Sequence, residues 1–420
     1  MLDALNQARV LPAPKLWRRL SSLPMLSYYN RLFALVLACN VGAIGLEPDL
    51  STMVLINLSL ATLVRQQYLI NGLFWLATRV PVTWPLWIRC RAAKVYHFGG
   101  LHSGGAVAAT GWLIAMVGDQ VAMHLRAPGS VPPTALWWSV VLLAGLLMMI
   151  IMALPWVRGR FHNGFERVHR FAGWGVLLVF WGQTLSALAN PLHSGTFWML
   201  VVLTVSIALP WLRLRKVAID TARPSSHAVI ARFSHTTPFT GSSTAISLSP
   251  LLEWHSFANI PSPGQPGFRL IISRAGDWTG QFIEQLPAHV WVKGITTAGV
   301  ANVETLFTSV LYIATGSGIG PVMPHLLAGK VPARLIWSTR SPRKTYGDAL
   351  VDEILQAQPQ ALIWDSDELG KPDLVQLAYG AVQAFGVEAV ICIANQGVTR
   401  RVVQELGARG IPAYGAIWDS

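Results

Sequence analysis

Three closely spaced glycines are the residues of this chain best suited to bind a phosphate. Gly316, Gly318 and Gly320 follow the apolar run Val310–Thr315, and a helical apolar pattern continues after them. Glycines let the backbone turn tightly and approach a phosphate, whose charge then meets the N–H groups of the following helix. The sequence therefore predicts a strand, a phosphate-binding loop and a helix, in that order.

Three histidines near the starts of apolar stretches have the chemistry to ligate iron. His97 and His102 open one such stretch, and His169 opens another. Neutral imidazoles from two facing helices can hold a haem iron, and the glycines beside them would leave room for a flat macrocycle. His97 and His102 are five residues apart and point in directions about 140° apart on a helix, so only one of them can share an iron with His169. The alternative is that the histidines hydrogen-bond between helices and that the glycines allow close packing.

The composition is that of a membrane protein. Only 12% of the 420 residues are charged, against about 25% in an ordinary soluble domain, and the mean hydropathy is +0.44. The 18 tryptophans agree, because indole rings favour the headgroup zone of a bilayer. Three widely spaced cysteines without a CxxC pair argue against a disulfide framework and a zinc site.

Apolar runs predict six membrane spans, roughly at 32–46, 52–77, 95–118, 135–154, 168–189 and 197–212. Lys and Arg precede the first span and follow the second, fourth and sixth, whereas the other side carries only Arg126. By the positive-inside rule we expect a multi-pass protein of the cell membrane with both termini cytoplasmic. The net charge of +12 is then an orientation signal rather than a nucleic-acid footprint. Arg65 lies inside the second span, where it either snorkels or pairs with a buried acid or a haem propionate.

Beyond residue 216 the sequence shows two strand patterns. Short alternating runs with turn residues predict a small antiparallel barrel, and strand–helix alternation from about residue 305 predicts a parallel nucleotide-binding sheet. The predicted fold is an α-helical membrane domain of six transmembrane helices, followed by a cytoplasmic antiparallel β-barrel and an α/β domain. The predicted domains are a basic amphipathic N-terminal segment (1–30), the transmembrane domain (31–216), the barrel (225–304) and the α/β domain (305–420).

Several motifs match one known superfamily. They are Gly276-Asp277-Trp278-Thr279 after an apolar strand, ATGSGIGP at Ala314–Pro321, and the histidine segments YHFGGLHSG and FERVHRFAGW. On these motifs the chain resembles, over roughly residues 25–420, the membrane branch of the ferredoxin–NADP reductase superfamily. That branch contains the ferric reductases and NADPH oxidases, and the likeness is greatest to fungal integral membrane proteins of the TmpA type. The resemblance implies FAD in the barrel, NAD(P)H in the α/β domain and hydride transfer to the flavin.

The resemblance also implies a flavin site in the barrel. The residues that match the family's FAD-binding positions are His255, Ser256, Phe257, Arg274, Trp278, Thr279 and Gly294. Thr279 and Arg274 would bind the flavin pyrophosphate, and His255 would act in catalysis. Ala258 departs from the family, which has Ser or Thr near flavin N5, and this change removes a hydrogen bond that tunes the flavin.

The nicotinamide loop and the terminal aromatics complete the implied site. The loop consists of Thr315, Gly316, Gly318, Gly320 and Pro321. Tyr414 and Trp418 take the place of the terminal aromatic that covers the flavin ring. Trp418 is the second catalytic candidate, as a gate that moves before nicotinamide reaches the flavin; the alternative is a core anchor. A further departure is Cys392-Ile393-Ala394-Asn395, where the family has Cys-Gly-Pro.

Four residues after the second strand of the α/β domain favour NADPH over NADH. Ser338, Arg340, Lys344 and Tyr346 combine hydroxyls with cations, and fixed cationic donors pair with an adenosine 2′-phosphate. An acidic residue there would instead have suited the ribose hydroxyls of NADH. The alternative is that these are merely solvated charges.

These patterns lead to one expected function and one rival. Two-haem relatives carry second histidines further along each ligating helix, and this chain lacks them, so at most one inner-side haem b is expected. We expect a membrane-bound flavin oxidoreductase that passes electrons from cytoplasmic NAD(P)H through FAD, with or without that haem, to an acceptor in or near the bilayer. The acceptor would be a small molecule or come from a partner enzyme, and no nucleic-acid partner is expected. The rival, favoured by Ala258 and the altered Cys392 segment, is a membrane sensor or scaffold that binds flavin or nucleotide without turnover.

Overall fold

The computed structural model describes residues 11–14, 16–21, 23–187, 190–261 and 264–416. These residues form a helical region, two antiparallel sheets and a parallel sheet, in that order along the chain. The helices of the first region are α1 (Leu16–Ser21), α2 (Tyr28–Ile44), α3 (Leu50–Leu63), α4 (Gln67–Ala77), α5 (Leu86–Ala92), α6 (Gly99–Arg126), α7 (Pro133–Ala153), α8 (Pro155–Arg160), α9 (His162–Ala187) and α10 (Gly195–Leu212).

The helical region has its own apolar core. Val54 of α3, Leu113 of α6, Leu142 of α7, Phe180 of α9 and Leu200 of α10 are all buried in it. Helix α6 is central, because it packs against α2, α3 and α7. This packing needs small residues on α6, since bulky side chains would hold the neighbouring backbones apart.

The prediction of a six-helix membrane domain is wrong. Among the described residues, only α6, α7 and α10 are long and apolar enough to cross a membrane, and α3 with α4 counts as a fourth only if a bent pair is one span. Helix α2 has 17 residues, which at 1.5 Å per residue reach about 25 Å, short of the ~30 Å hydrocarbon core. Helix α9 has 26 residues but is not apolar enough to qualify.

The predicted second span fails for a structural reason. Helices α3 and α4 meet at an angle of 71°, and Arg65 lies in the break between them. Beyond the break, Ile70 and Phe74 are buried in the core of the parallel-sheet domain, so part of the apolar signal comes from a protein interface. Asn71 of α4 adds two hydrogen bonds of 2.8 Å to the strand segment at Thr296–Ala298.

The antiparallel part consists of two sheets that share one core. Its elements are β1 (Leu214–Ala218), β2 (Asp220–Ala222), β3 (Ala228–Phe233), β4 (Ser242–Ser247), β5 (His255–Ala258), β6 (Ile260–Pro261), β7 (Phe268–Ser273), α11 (Asp277–Gln285), β8 (His289–Lys293) and β9 (Thr297–Ala298). One sheet has the order β1-β8-β4-β5 with β9 beside β4, and the other has the order β2-β3-β7-β6. Ile246, Leu270 and Phe282 are fully buried between them.

The last part is a five-stranded parallel sheet with helices. Its elements are β10 (Val310–Thr315), α12 (Ile319–Ala328), β11 (Ala333–Thr339), α13 (Pro342–Tyr346), α14 (Asp348–Ala357), β12 (Leu362–Asp365), α15 (Leu374–Phe385), β13 (Ala389–Ile393), α16 (Gln396–Ala408) and β14 (Ala413–Gly415). The strand order is β12-β11-β10-β13-β14, and each neighbouring pair is parallel. The order reverses between β10 and β13, and open parallel sheets bind ligands outside such a point.

A buried ion pair joins α5 to this sheet. The Arg89 guanidinium makes two hydrogen bonds of 2.8 Å to the Glu388 carboxylate, just before β13. It also donates to the Leu306 carbonyl at 2.8 Å and to the Trp84 carbonyl at 2.9 Å. Arg89 holds the pKa of Glu388 below its usual range, although burial opposes this shift. The segment from α4 to α5 is therefore fixed on the parallel-sheet domain by both apolar and charged contacts.

Candidate cofactor site

The glycine loop between β10 and α12 lies at the point where the strand order reverses. Gly316 has a φ of +52°, a left-handed conformation that favours glycine, and its carbonyl accepts a hydrogen bond of 2.9 Å from the Trp337 indole N–H. A Cβ built on Gly318 would lie 2.0 Å from the Ile393 carbonyl oxygen at the end of β13. Both positions therefore require glycine, and the loop is pressed against the carboxyl end of the sheet.

The same loop also contacts the antiparallel part. Helix α12, which starts at the loop, packs on β5 and β6, and the loop itself packs on β7. A Cβ on Gly320 would lie 3.9 Å from Ile271 of β7, so this side of the loop would accept a methyl group in ordinary contact. Thr315 and Pro321 flank the loop and are half-buried. The predicted nicotinamide loop and the predicted flavin strand β5 thus lie on two sides of one domain interface.

An aromatic stack covers β5. The His255 and Trp278 rings stack with centroids 4.0 Å apart and an interplanar angle of 22°, and Phe257 lies parallel to Trp278 at 6.2 Å. His255 Nε2 is also 2.8 Å from Glu253 Oε2, an ion-pair distance. Burial alone would raise the pKa of Glu253, but the contacts with His255, Ser249 and Ser247 hold it below its usual range.

The stack contains buried polar atoms that have no hydrogen-bond partner among the described residues. These atoms are Trp278 Nε1 and Thr244 Oγ1. Thr244 is opposite Phe257 in the β4–β5 register, so its side chain shares a face with the stack. Buried polar groups are normally paired, and an aromatic heterocycle with a polar edge would supply the missing partners. The donor set and the ring stack therefore fit a flavin.

The predicted pyrophosphate turn lies at the start of α11. The Thr279 hydroxyl accepts hydrogen bonds from the N–H groups of Ala275 (2.8 Å) and Gly276 (3.0 Å), so it closes its own turn. The Arg274 guanidinium is 2.8 Å from Glu284 and lies across α11, where Gly280 makes room for it. A shallow groove at this place is lined by Arg274, Gly276, Asp277, Gly280, Gln281 and Glu284.

Gly294 and Ser256 have other surroundings. The Gly294 N–H donates to the Arg213 carbonyl at 3.1 Å, and a Cβ there would lie 2.9 Å from the same oxygen. Gly294 therefore allows a close approach between the end of β8 and the end of α10. Ser256 is exposed on β5, between His255 and Phe257.

The four residues predicted to select NADPH divide into two pairs. Arg340 and Lys344 are exposed, and neither contacts an acid within the part of the chain that the structure describes. Ser338 is buried at the end of β11. Tyr346 is also buried, with its hydroxyl 3.2 Å from Ser273 Oγ and its pKa raised by burial. The cations are thus available to a phosphate, whereas Tyr346 joins the parallel sheet to β7.

Of the two terminal aromatics, only Tyr414 lies within the described residues. Tyr414 is buried, packs 5.4 Å from Phe307, and has the Lys94 ammonium 4.8 Å above its ring. Burial raises the pKa of Tyr414 far above its usual value. Its ring is therefore part of the core between α5 and the sheet. Trp418 lies outside the described residues.

The structure brings two of the three predicted iron-ligating histidines together. The His102 and His169 rings have centroids 6.1 Å apart, and His102 Nδ1 donates to the Ala61 carbonyl at 2.7 Å. His97 instead stacks on Tyr96 at 4.2 Å and donates to the Lys94 carbonyl at 3.1 Å. In the described ranges, no group of three or more His, Cys, Asp or Glu side chains could hold a metal ion.

The glycines of α6 do not leave room for a macrocycle. A Cβ on Gly100 would lie 2.2 Å from the Tyr29 carbonyl oxygen, and one on Gly104 would lie 2.9 Å from Val36. A Cβ on Gly105 would lie 2.8 Å from the carbonyl oxygen of Asn57. The backbones of α2 and α3 fill this space, so these residues do not fit a haem on that face.

The sequence reasoning missed a buried polar cluster beneath the loop helix. Glu304 accepts hydrogen bonds of 2.6 Å from both the Tyr312 hydroxyl and His325 Nδ1, and all three side chains are almost fully buried. His325 lies on α12, so the cluster fixes the loop helix to β10 and to the turn that precedes it. The sequence signal that could have revealed this cluster was a lone histidine and a lone glutamate, each within an apolar stretch. Charged residues are almost never fully buried unless they are paired, so the two residues were candidates for a buried pair.

Comparison with known proteins relates the chain to a group of fungal reductases. Residues 300–420 match the family model described as "Adenylate-forming reductase 03009, C-terminal domain". The chain is 40% identical over 413 residues to adenylate-forming reductase 03009 of Coprinopsis cinerea, which is 94% of this chain and 40% of the relative. Adenylate-forming reductase 06235 of the same fungus is also 40% identical, over 93% of this chain and 40% of its own length. The chain thus spans about 40% of the length of these curated relatives.

Solved structures with some similarity are flavin- and nucleotide-binding proteins. A ferredoxin–NADP reductase from Neisseria gonorrhoeae with bound FAD and NADP is 12% identical, with a TM-score of 0.39 over 49% of this chain and 98% of that one. A flavohemoglobin from Malassezia yamatoensis with bound FAD and haem is 15% identical, with a TM-score of 0.43 over 88% of this chain and 100% of that one. The relatives found by sequence are adenylate-forming reductases rather than ferric reductases or TmpA-type proteins.

Proposed function

We propose that this chain is an NAD(P)H-dependent flavin oxidoreductase held at a cell membrane. The observation that carries the proposal is the interface at the glycine loop. A glycine-rich loop at the reversal point of a parallel sheet lies against the antiparallel strands that bear an aromatic stack with unpaired polar atoms. A bound flavin would supply the ability to accept a hydride and release electrons.

Different residues of the chain would bind the nicotinamide nucleotide and the flavin. The N–H groups at the start of α12 and the bare backbone of Gly316–Gly320 would receive the nucleotide phosphates. Arg340 and Lys344 would pair with a 2′-phosphate, which favours NADPH over NADH. Trp278, with His255 stacked behind it, would stack on the flavin ring, and Arg274 would neutralise its diphosphate. No step is assigned to haem.

The electron acceptor would come from another domain or a partner enzyme. The matched relatives are named adenylate-forming reductases and extend well beyond the length of this chain. We therefore propose that the acceptor is an intermediate produced by an adenylate-forming enzyme.

Three observations favour a second candidate, a nucleotide-binding scaffold without turnover. Trp278 already covers the face of β5 that would meet the flavin ring, and the Thr279 hydroxyl is committed to its own turn. Ala258 on the same strand also offers no hydroxyl to the flavin.

Anaerobic titration of the purified full chain with NADPH or NADH distinguishes the two. Flavin absorbance that bleaches with NADPH at lower concentration than with NADH is the expected result. Flavin that binds but is bleached by neither nucleotide supports the scaffold. Failure to bind flavin after reconstitution overturns both the flavin site and the proposed activity.

A further inference from the structure

The segment from α4 to α5 carries apolar residues on two opposite sides. Its inner side is fixed to the protein, since Ile70 and Phe74 are buried and Arg89 is paired with Glu388. Arg89 also holds the Trp84 carbonyl at 2.9 Å, so the loop between the two helices is fixed as well. These contacts of the inner side explain why the segment lies where it does. They do not explain which residues its outer side carries.

The outer side exposes large apolar side chains, which we call the aromatic face. It consists of Tyr68, Leu69, Trp75, Leu76, Trp84 and Trp87, each between 43% and 64% exposed. The α4 members and Gly72 recur at helical spacing, so they form one stripe opposite Ile70 and Phe74. An exposed apolar stripe of this kind on a folded protein marks an interaction site rather than ordinary surface.

The charges around the aromatic face have one sign. The Arg79 guanidinium lies 4.1 Å from the Trp75 ring and the Arg91 guanidinium 5.8 Å from the Trp87 ring. Residues 64–98 contain no Asp or Glu. Tryptophan and arginine together, without acids, are typical of surfaces that lie in the headgroup zone of a bilayer.

The aromatic face is continuous with a candidate membrane span. Arg213 caps the end of α10 and lies 5.9 Å from the Tyr68 ring. Helix α4 also departs by 71° from the direction of α3, so if α3 is steep in the bilayer then α4 lies nearly in its plane. A helix in this plane buries its apolar face in the acyl boundary and leaves its other face to the protein.

We propose that the aromatic face binds the headgroup zone of an anionic lipid bilayer and seats the parallel-sheet domain on the membrane surface. The proposal rests on the membrane location included in the proposed function, but it does not depend on flavin chemistry. The rings would enter the acyl boundary while Arg79 and Arg91 pair with lipid phosphates. A second copy of the chain or another protein on this face is the competing outcome of the test.

Photoactivatable lipids measure the depth of the aromatic face directly. The full chain is reconstituted in vesicles of phosphatidylcholine with phosphatidylglycerol that contain a diazirine lipid, reactive either near the headgroup or at the acyl end. We expect peptides spanning residues 68–87 to be labelled by the shallow probe and not by the deep one. Peptides from α7 should be labelled by the deep probe, and they serve as the internal control for insertion.

Each other outcome counts against the proposal. Absence of label at 68–87 beside labelled α7 means that protein covers the aromatic face. Label at 68–87 from the deep probe means that α4 crosses the bilayer. Absence of label everywhere overturns the membrane location too, whereas flavin bleaching in the same sample reports separately on the oxidoreductase.

Two variants make the test specific. The double variant Trp75→Ser with Trp87→Ser is expected to lose shallow labelling several-fold, because the rings that enter the acyl boundary are gone. Trp17→Ser is the matched control, because Trp17 is 62% exposed beside the Arg18 guanidinium (5.1 Å from the ring) on α1 and outside the aromatic face. Labelling that the double variant leaves unchanged would overturn the proposal.

Discussion

Replacing Gly318 by alanine tests the position of the glycine loop. The added Cβ would lie 2.0 Å from the Ile393 carbonyl oxygen, whereas ordinary contact starts at 3.4 Å. The loop and the end of β13 must therefore separate by about 1.4 Å, and the obstacle is backbone rather than a flexible side chain. Overpacking of this kind costs about 1–3 kcal/mol, and a misplacement of about 1 Å can reduce a rate by about 10²-fold.

The assay needs two readouts on the same variant. We expect Gly318→Ala to lower the thermal midpoint of the full chain and to weaken NADPH binding measured by calorimetry at least about tenfold, which corresponds to about 1.4 kcal/mol. Single-turnover bleaching of the flavin by NADPH should slow as well, because the phosphates are held further from β13.

Two other glycines provide matched controls. Gly320→Ala, whose Cβ would be 3.9 Å from its nearest neighbour, should keep the thermal midpoint and affect nucleotide binding alone. Gly407→Ala lies in α16 with no heavy atom within 4 Å, so it should leave binding unchanged and stabilise the chain by about 0.5–1 kcal/mol. A Gly318→Ala protein with the wild-type midpoint and the wild-type NADPH affinity would refute the reasoning.

Three further perturbations test the charges. Arg340→Ala should weaken NADPH binding about tenfold, because one charge-assisted hydrogen bond is worth ~1.5 kcal/mol, and it should leave NADH binding unchanged. Arg343→Ala should alter the affinity for neither nucleotide, because acids on α14 hold its guanidinium. Equal losses for both nucleotides would contradict a 2′-phosphate site. Glu388→Gln should lower the thermal midpoint at neutral pH and reduce the loss of stability at acid pH. Arg89 depresses the pKa of Glu388 in the folded protein, so the ionised carboxylate contributes stability above the ordinary value of 4.5, and this stability is lost as pH falls through the folded pKa. Burial lowers the pKa of Lys293 to about 8, so the unfolded chain binds more protons than the folded chain between pH 8 and 10.5. Stability should therefore rise with pH across that window, and Lys293→Met should abolish the rise in the urea midpoint.

The parallel sheet could be predicted from the sequence because its signals are local. Each strand after residue 305 is a short apolar run followed by a helical pattern, and the glycines mark the turn after β10. The number of membrane helices could not be predicted in the same way. Hydropathy counts apolar side chains without knowing what covers them, and Ile70 and Phe74 are covered by the parallel-sheet domain rather than by lipid.

The backbone geometry of the glycine loop was predictable, because it depends on the residues of the loop themselves. Gly316 and Gly318 are examples, since one has a positive φ and the other touches a carbonyl. Prediction was harder where the role depends on a distant partner. Tyr346 lies in a basic, polar stretch, but its hydroxyl meets Ser273 of the antiparallel part, 73 residues away, and this contact is not visible in local sequence.

The glycine loop is held from three directions, and this has a consequence for the way a nucleotide can bind. Ile393 of β13 lies directly against Gly318, the Trp337 indole N–H holds the Gly316 carbonyl, and Ile271 of β7 faces Gly320. Because these neighbours are buried parts of three strands, the loop cannot move without disturbing a core. In the proposed site the phosphates would therefore adapt to the loop rather than the reverse, and affinity for a nucleotide would depend on how well the nucleotide fits a preformed backbone. In the proposed site, discrimination between nucleotides would then come from the exposed cations Arg340 and Lys344.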